Sequence, residues 1–315
     1  MQFKGITIGV PREIMPGEKR VAAVPDTVGK MVEAGARVLI ETGAAGKTGR
    51  AVLKALVRGG AAVRVLVRRD EQALELKNDG AAEAVTGDMT ALETYRRVMD
   101  GVKAVYHICP NMHPLEIEIG RLALQTAVDF GLEHFVYHSV LHPQTEKMPH
   151  HWHKMRVEEM LFESGLDFTI LQPAPYMQNI LAGRKTILNE GIYRVPYPAE
   201  TRLSLVDLED LGEAAAVVLT GSDHRNATYE IAGTTALSQT EIAAVIGTVL
   251  GREIKAAEIP LEQWRQGAEK DGLDSYAIET LQKMFEPKNQ QRFAAPIGQS
   301  QSPADAYWGK YDRLL

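Results

Sequence analysis

Three glycines, Gly43, Gly46 and Gly49, recur at every third position in the segment Thr42 to Gly49 (TGAAGKTG). Glycine at these points lets a chain turn tightly and lay its backbone against a pyrophosphate, and lets a following helix pack close to the strand before it. The apolar run Val38, Leu39, Ile40 precedes the loop and an amphipathic pattern follows it. Strand, loop and helix are therefore expected, with Thr42, Gly43, Gly46, Thr48 and Gly49 around the phosphates and the helix N–H groups aimed at them. A dinucleotide is the first ligand to consider. Arg68 and Arg69 end the next apolar run, AVRVLV at 62–67. An acidic residue at that place would bond the ribose 2′-hydroxyl of NAD. Two guanidinium groups would instead meet a 2′-phosphate, which favours NADP(H). The plainer alternative is two solvated surface arginines. Lys47 either adds positive charge near the phosphates or points to water. Asp88, after Gly87, reads as a helix N-cap for a helix starting near Thr90.

The elements that must position these residues follow in alternation. Strands are expected at 62–67, 82–85, 103–108, 134–139 and 168–171, with helices at about 71–79, 90–99, 114–130 and 151–164 between them. This spacing predicts an α/β chain with a doubly wound parallel sheet and helices on both faces. Right-handed crossovers place the strand ends, and the ligand, along one edge. Beyond about 234 the chain reads as helices. Ser238 with Glu241 makes a capping box before the apolar face Ile242, Val245, Ile246, Val249, and Gly251 ends that helix. Residues 6–10 read as a strand and 26–35 as an amphipathic helix capped by Gly35; the tail 286–306 reads as extended.

Composition narrows the setting. A formal charge of −6 over 315 residues argues against a general nucleic-acid binder. One cysteine excludes an internal disulfide framework and fits a reducing compartment. Residues 1–30 hold no long apolar run, so neither a signal peptide nor a membrane anchor is expected, and the cytoplasm is the default.

From Val38 to about Trp264 the chain resembles the NmrA-like branch of the atypical short-chain dehydrogenase/reductases. The resemblance rests on ordered pieces: TGAAGKTG at 42–49, VRVLVRR at 63–69, TGDMTALE at 86–93, GVKAVYHICPNMHP at 101–114, the long block at 134–181, LVDLEDLGEAAAVVL at 205–219 and YEIAGTTALSQTEIAAVIGTVLGREI at 229–254. It implies a Rossmann-type domain (37–172 plus 203–233) and a smaller α+β C-terminal substrate domain with the tail (173–202 plus 234–315). It further implies NADP(H) as cofactor and places Asp88 at the adenine. Residues 5–46 look different: they are similar to the N-terminus of alanine dehydrogenase and the transhydrogenase alpha subunit, whose substrate-holding arginine falls on Arg20. The remaining residues of that site have no counterpart here, so 1–36 is read as an added βα extension with a structural role.

The resemblance also locates the chemistry. Short-chain dehydrogenases use serine, tyrosine and lysine, with the tyrosine four residues before the lysine on one helix. The lysine lowers the tyrosine pKa so that a proton can move as hydride moves. Here Ser139 and Lys154 match, but position 150 holds His150 in place of the tyrosine. Histidine is a competent general acid of shorter reach. The departure bears on catalysis and leaves cofactor binding by Lys154 intact.

Six histidines crowd 134–153: His134, His138, His142, His150, His151 and His153. None shows a zinc-protease spacing, and no cysteine pair is present, so no metal is expected. Cys109 follows the fourth strand, in a turn that the resemblance runs past the nicotinamide; a buried structural thiol is the alternative. In the segment Gln172 to Asn179 two prolines hold the chain extended. By resemblance this segment walls the substrate cleft, with Tyr176 and Asn179 facing substrate, and a packed linker is the alternative. The expected activity is NAD(P)H-dependent reduction of a small organic acceptor, such as a quinone or carbonyl compound. The alternative is a non-catalytic NADP(H) redox sensor acting on a protein partner. A homodimer fits either.

Overall fold

The computed structural model describes residues 37–40, 42–221, 223–286 and 289. The strand expected at 6–10, the helix at 26–35, Arg20 and most of the tail lie outside them.

Eleven strands and ten α-helices occur among the described residues. In chain order they are β1 (Arg37–Ile40), α1 (Lys47–Arg58), β2 (Ala62–Val67), α2 (Asp70–Asn78), β3 (Glu83–Thr86), α3 (Leu92–Met99), β4 (Ala104–His107), α4 (Glu116–Asp129), β5 (His134–His138), α5 (Pro149–Glu163) and β6 (Phe168–Pro173). Then come α6 (Arg184–Glu190), β7 (Ile192–Val195), β8 (Arg202–Leu203), α7 (Leu208–Thr220), β9 (Ala227–Ile231), β10 (Leu237–Ser238), α8 (Gln239–Leu250), β11 (Lys255–Glu258), α9 (Leu261–Lys270) and α10 (Ser275–Phe285).

Seven strands form one parallel sheet in the order β3-β2-β1-β4-β5-β6-β9. The order reverses direction beside β1, between β1 and β4. That switch point opens a crevice at the carboxyl ends of the strands, where doubly wound sheets take ligands. Parallel strands under helices on both sides read as continuous apolar runs. β4 and β5 accordingly are buried throughout, polar residues included. Successive side chains face opposite sides. Leu39, Val105, Phe135 and Tyr137 pack with Ile119, Ala123, Val157 and Leu161 of α4 and α5. Val38, Ile40, Tyr106 and Val136 pack with Val52, Leu53 and Leu56 of α1 and Ala215 and Val218 of α7.

After β6 the chain leaves the sheet, builds a small lobe, and returns as α7 and β9. The lobe core joins Ile187, Tyr193 and Val195 to Ile242, Ile246 and Ile254. Its capping box forms as the sequence predicts: Ser238 accepts from Glu241 N at 3.1 Å, and Ser238 N donates back to the Glu241 carboxylate at 2.7 Å. The stretch beyond 234 is not wholly helical. Lys255–Glu258 (KAAE) is a strand paired with β7. Its residues carry no strand preference of their own; pairing with β7 imposes the conformation.

Candidate active site

The loop after β1 is a tight 3-10 turn, Thr42–Ala45, and Gly46 is the N-cap of α1. Gly43 N donates to Ile108 O at 3.2 Å, and Gly46 N to Gly43 O at 2.9 Å. A Cβ on Gly43 would lie 2.7 Å from the Ile108 side chain, and one on Gly49 would lie 2.2 Å from Gly43 O and 2.3 Å from Ala44 Cα. So Gly43 brings the turn against the end of β4, and Gly49 folds the first turn of α1 back onto the loop. At Gly46, by contrast, a Cβ would meet only Gly43 O, at 3.1 Å. Gly46 caps α1 without a side chain, so the first-turn N–H groups keep no side-chain partner from that position. Lys47 is exposed beside them. This exposed, uncapped, positively polarised helix end fits a diphosphate.

Arg68 and Arg69 follow β2 and are exposed; Arg69 is the N-cap residue of α2. Asp88 caps a turn ahead of the next helix: its Oδ1 accepts from Thr90 N at 2.9 Å, and this bond holds its carboxyl below the usual range. The helix itself begins at Leu92, capped by Ala91. Cys109 is buried in the core beside Val105 and Ile119.

The carboxyl ends of β4 and β5 carry a buried ionic cluster. α5 runs its polar residues His150, His151, Lys154 and Glu158 down the face that also buries Val157 and Leu161. Lys154 Nζ donates to Glu116 Oε1 at 2.7 Å and to His138 O at 2.9 Å, and lies 5.3 Å from the Tyr137 ring centroid. Glu116 opens α4 and is 1% exposed; Lys154 is 4% exposed. His150 Nδ1 stands 3.6 Å from Glu116 Oε2. Burial alone would raise the Glu116 carboxyl, but the Lys154 ammonium, with His150, outweighs it and holds Glu116 well below the usual range. Thus His150 and Lys154 come together around a carboxylate that the sequence reading did not single out.

Ser139 faces a different group. Its hydroxyl donates to Glu158, which also accepts from Gln172 Nε2 at 3.0 Å. Burial raises the Glu158 carboxyl. Other histidines have neighbours of their own, apart from the cluster. His134 bonds Thr169 at 2.9 Å, His151 Nδ1 bonds His142 O at 3.1 Å, and His153 stacks on Tyr276 of α10 with ring planes 11° apart. Among the described residues no group of three or more His, Cys, Asp or Glu is arranged to hold a metal. Tyr176 bonds His138 Nε2 at 2.8 Å through its hydroxyl, while Asn179 is exposed on the 3-10 turn Met177–Gly183. A separate hollow of about 620 Å³ lies at the amino ends of β5 and β6, lined by Glu133, Asp167 and Arg225 among others, away from this cluster.

Sequence reasoning missed Glu116, Glu158 and Tyr276. For Glu158 a signal existed: His150, Lys154 and Glu158 recur every four residues along one buried helical stripe. Glu116 reads as an ordinary first-turn acid, and Tyr276 as a packing residue of the small lobe.

No described helix is long and apolar enough to cross a membrane. An NAD(P)H azoreductase of Xenophilus azovorans is 26% identical over 250 residues, spanning 79% of this chain and 86% of that protein. The structure of the NADPH-dependent quinone oxidoreductase of Escherichia coli complexed with NADPH superposes with a TM-score of 0.68 at 21% identity, covering 87% of this chain and 99% of that one. Triphenylmethane reductase of Citrobacter sp., complexed with NADP(H), gives 0.69 at 21% identity over 87% and 99%. Both structures share the fold. Residues 36–314 match the NmrA-like family, and the chain belongs to it.

Proposed function

We propose that this protein binds NADP(H) at the β1–α1 turn and reduces a small organic acceptor, such as a quinone or carbonyl compound. The observation that carries the reading is the turn itself: Gly43 held against the Ile108 side chain and Gly49 against the loop backbone, with no room for a Cβ at either, before an exposed, uncapped helix end at the switch point. Similar proteins described as NAD(P)H azoreductase and NADPH-dependent quinone oxidoreductase support it.

In this reading Thr42, Gly43, Gly46, Lys47, Thr48 and Gly49 hold the pyrophosphate. Arg68 and Arg69 meet the 2′-phosphate, Asp88 the adenine, and Cys109 lies in the turn beside the nicotinamide. The bound nicotinamide supplies hydride. Lys154, held at the end of β5 by Glu116, binds the nicotinamide ribose. His150 is the proton donor in place of tyrosine, and Ser139 braces the end of β5 through Glu158. Tyr176 and Asn179 belong to the wall on the substrate side. Residues 37–172 with 203–233 form the nucleotide domain, and 173–202 with 234–315 form the substrate domain and tail. Residues 1–36, outside the described residues, are an added segment of structural role, part of the stretch whose sequence resembles alanine dehydrogenase and transhydrogenase. The protein works in the cytoplasm as a homodimer or with a regulatory partner, without metal.

The test is a titration of NADPH and NADH by intrinsic fluorescence, followed by nicotinamide absorbance with a quinone panel. NADPH binds tighter, and Arg68→Ala with Arg69→Ala removes most of the preference. Equal affinities before and after substitution overturn the phosphate assignment. Tight binding without turnover on any acceptor replaces the reductase with the redox sensor.

A further inference from the structure

The segment that leaves β6 is held against β9 and the approach to α7. Ala174 N donates to Ile231 O at 2.8 Å, Val206 N to Pro175 O at 3.0 Å, and Met177 N to Val206 O at 3.0 Å. Tyr176 and Val206 thereby pair as a parallel bridge. Pro173 and Pro175 have no N–H to give, so main-chain donors are few along this stretch. The pairing stops at Met177, where the 3-10 turn begins.

One residue further on, Gln178 continues the contact with its side chain. Its Nε2 donates to Asp207 Oδ1 at 2.7 Å, and its Oε1 accepts from Leu208 N at 3.2 Å. Asp207 is 2% exposed, and its Oδ1 also accepts from Glu209 N at 2.8 Å. The start of α7 thus has two side-chain partners, its own N-cap Asp207 and Gln178 from the facing segment. An amide serves both bonds: an ionised carboxylate could not donate to Asp207, and an ammonium could not accept from Leu208 N. The bond to the buried carboxylate is of the stronger, charge-assisted kind.

Tyr176, two residues earlier, is fixed by its hydroxyl to His138 Nε2 at 2.8 Å, and His138 O accepts from Lys154 Nζ at 2.9 Å. The segment is therefore tied on one side to the strand that holds Lys154 and on the other to α7. We infer that Gln178 is a positioning residue for the acceptor: it holds the main chain at Tyr176 in place and so fixes how that side chain meets the substrate. The inference rests on the reading of this segment as the wall on the substrate side. The bonds of Gln178 go to the start of α7, not to the phosphate turn, so its effect falls on the acceptor and spares NADPH.

Gln178→Met keeps the length of the side chain and removes both bonds. Acceptor kcat/KM is expected to fall about tenfold, with the NADPH dissociation constant unchanged. In the Tyr176→Ala background Gln178→Met causes no further loss, since it acts through Tyr176. Asp207→Asn, whose oxygen can still accept from Glu209 N and Gln178, loses far less than Gln178→Met. A role in stability alone would lower the melting temperature of Gln178→Met and leave kcat/KM of the folded protein unchanged. That result overturns the proposal, as does a full tenfold loss in the Tyr176→Ala background. A second measurement needs no turnover. NMR amide exchange of the nucleotide-free protein is expected to show Leu208 N–H exchanging faster in Gln178→Met than in the unaltered chain. Equal rates overturn the anchor whatever the protein catalyses. If the unaltered protein reduces no acceptor, the reductase reading falls on that observation, while the Leu208 amide still decides the anchor.

Discussion

Replacing Glu116 by glutamine keeps the shape of the α4 terminus and removes one charge. The Lys154 ammonium, 4% exposed and 2.7 Å from Glu116 Oε1, then has the His138 carbonyl and the Tyr137 ring as its remaining neighbours. Breaking a buried ion pair from one side costs about 3–5 kcal/mol, because the surviving charge stays buried and uncompensated. The two residual contacts offset part of this, so Glu116→Gln is expected to cost about 3 kcal/mol. That is a large share of the ~5–15 kcal/mol that holds a typical domain together. Lys154→Met strands the carboxylate instead and should cost a similar amount. The double variant Glu116→Gln, Lys154→Met buries no charge from the pair, and its cost should fall to about 1 kcal/mol or less. Urea unfolding of the four proteins gives the coupling as the deviation from additivity. Additive losses would refute the argument, since they would mean that the two charges do not depend on each other. The double variant should also be well folded yet weak in NADPH binding, which separates the fold's need for a neutral pair from the cofactor's need for the ammonium.

Gly49→Ala sets a Cβ 2.2 Å from Gly43 O, and backbone cannot yield as a side chain can. It should cost ~1–3 kcal/mol and abolish nucleotide binding. Gly267→Ala, in α9 with nothing within 4 Å of its Cβ, should instead stabilise by up to about 1 kcal/mol; thermal melts of both variants decide. Acid sensitivity should come from the histidines. Burial holds His151 at about 3, His134 at about 4 and His138 well below its usual value. The unfolded chain takes up these protons near pH 6.5 and the folded chain does not, so stability falls as pH drops from 6.5 toward 5. The loss is at most ~1.4 kcal/mol per pH unit for each imidazole. Glu116, whose unfolded value is 4.5, contributes only below that window. Urea midpoints that stay level between pH 7 and 5 would contradict the assignment of buried neutral rings.

Much of the fold was legible because parallel strands buried on both faces announce themselves as apolar runs, and glycine spacing marks the phosphate turn. Seven-strand closure by β9 was harder to read. ATYEI alternates in burial and returns to the sheet only after the long excursion through the small lobe. The site was half legible. Lys154 and His150 stood out through spacing on one helix. Glu116 did not, because its role depends on α4 and α5 meeting in space 38 residues apart in sequence. The His138–Tyr176 hydrogen bond escaped for the same reason: it joins β5 to the segment after β6, 38 residues further along.

α1 and α7 meet at Gly212, where a Cβ would lie 2.7 Å from Ala51 O. Here main chain rests on main chain, with no side chains between to swap rotamers, so the seam acts as a weld more than a bearing. α7 is also tied to the lobe side: Asp207, its N-cap, accepts from Gln178 Nε2 at 2.7 Å. The helix that offers its end to the nucleotide is therefore backed by a fixed strut. On the side of α5 the contact is made by side chains instead: His153 stacks on Tyr276 of α10, and Met284 packs against Met148.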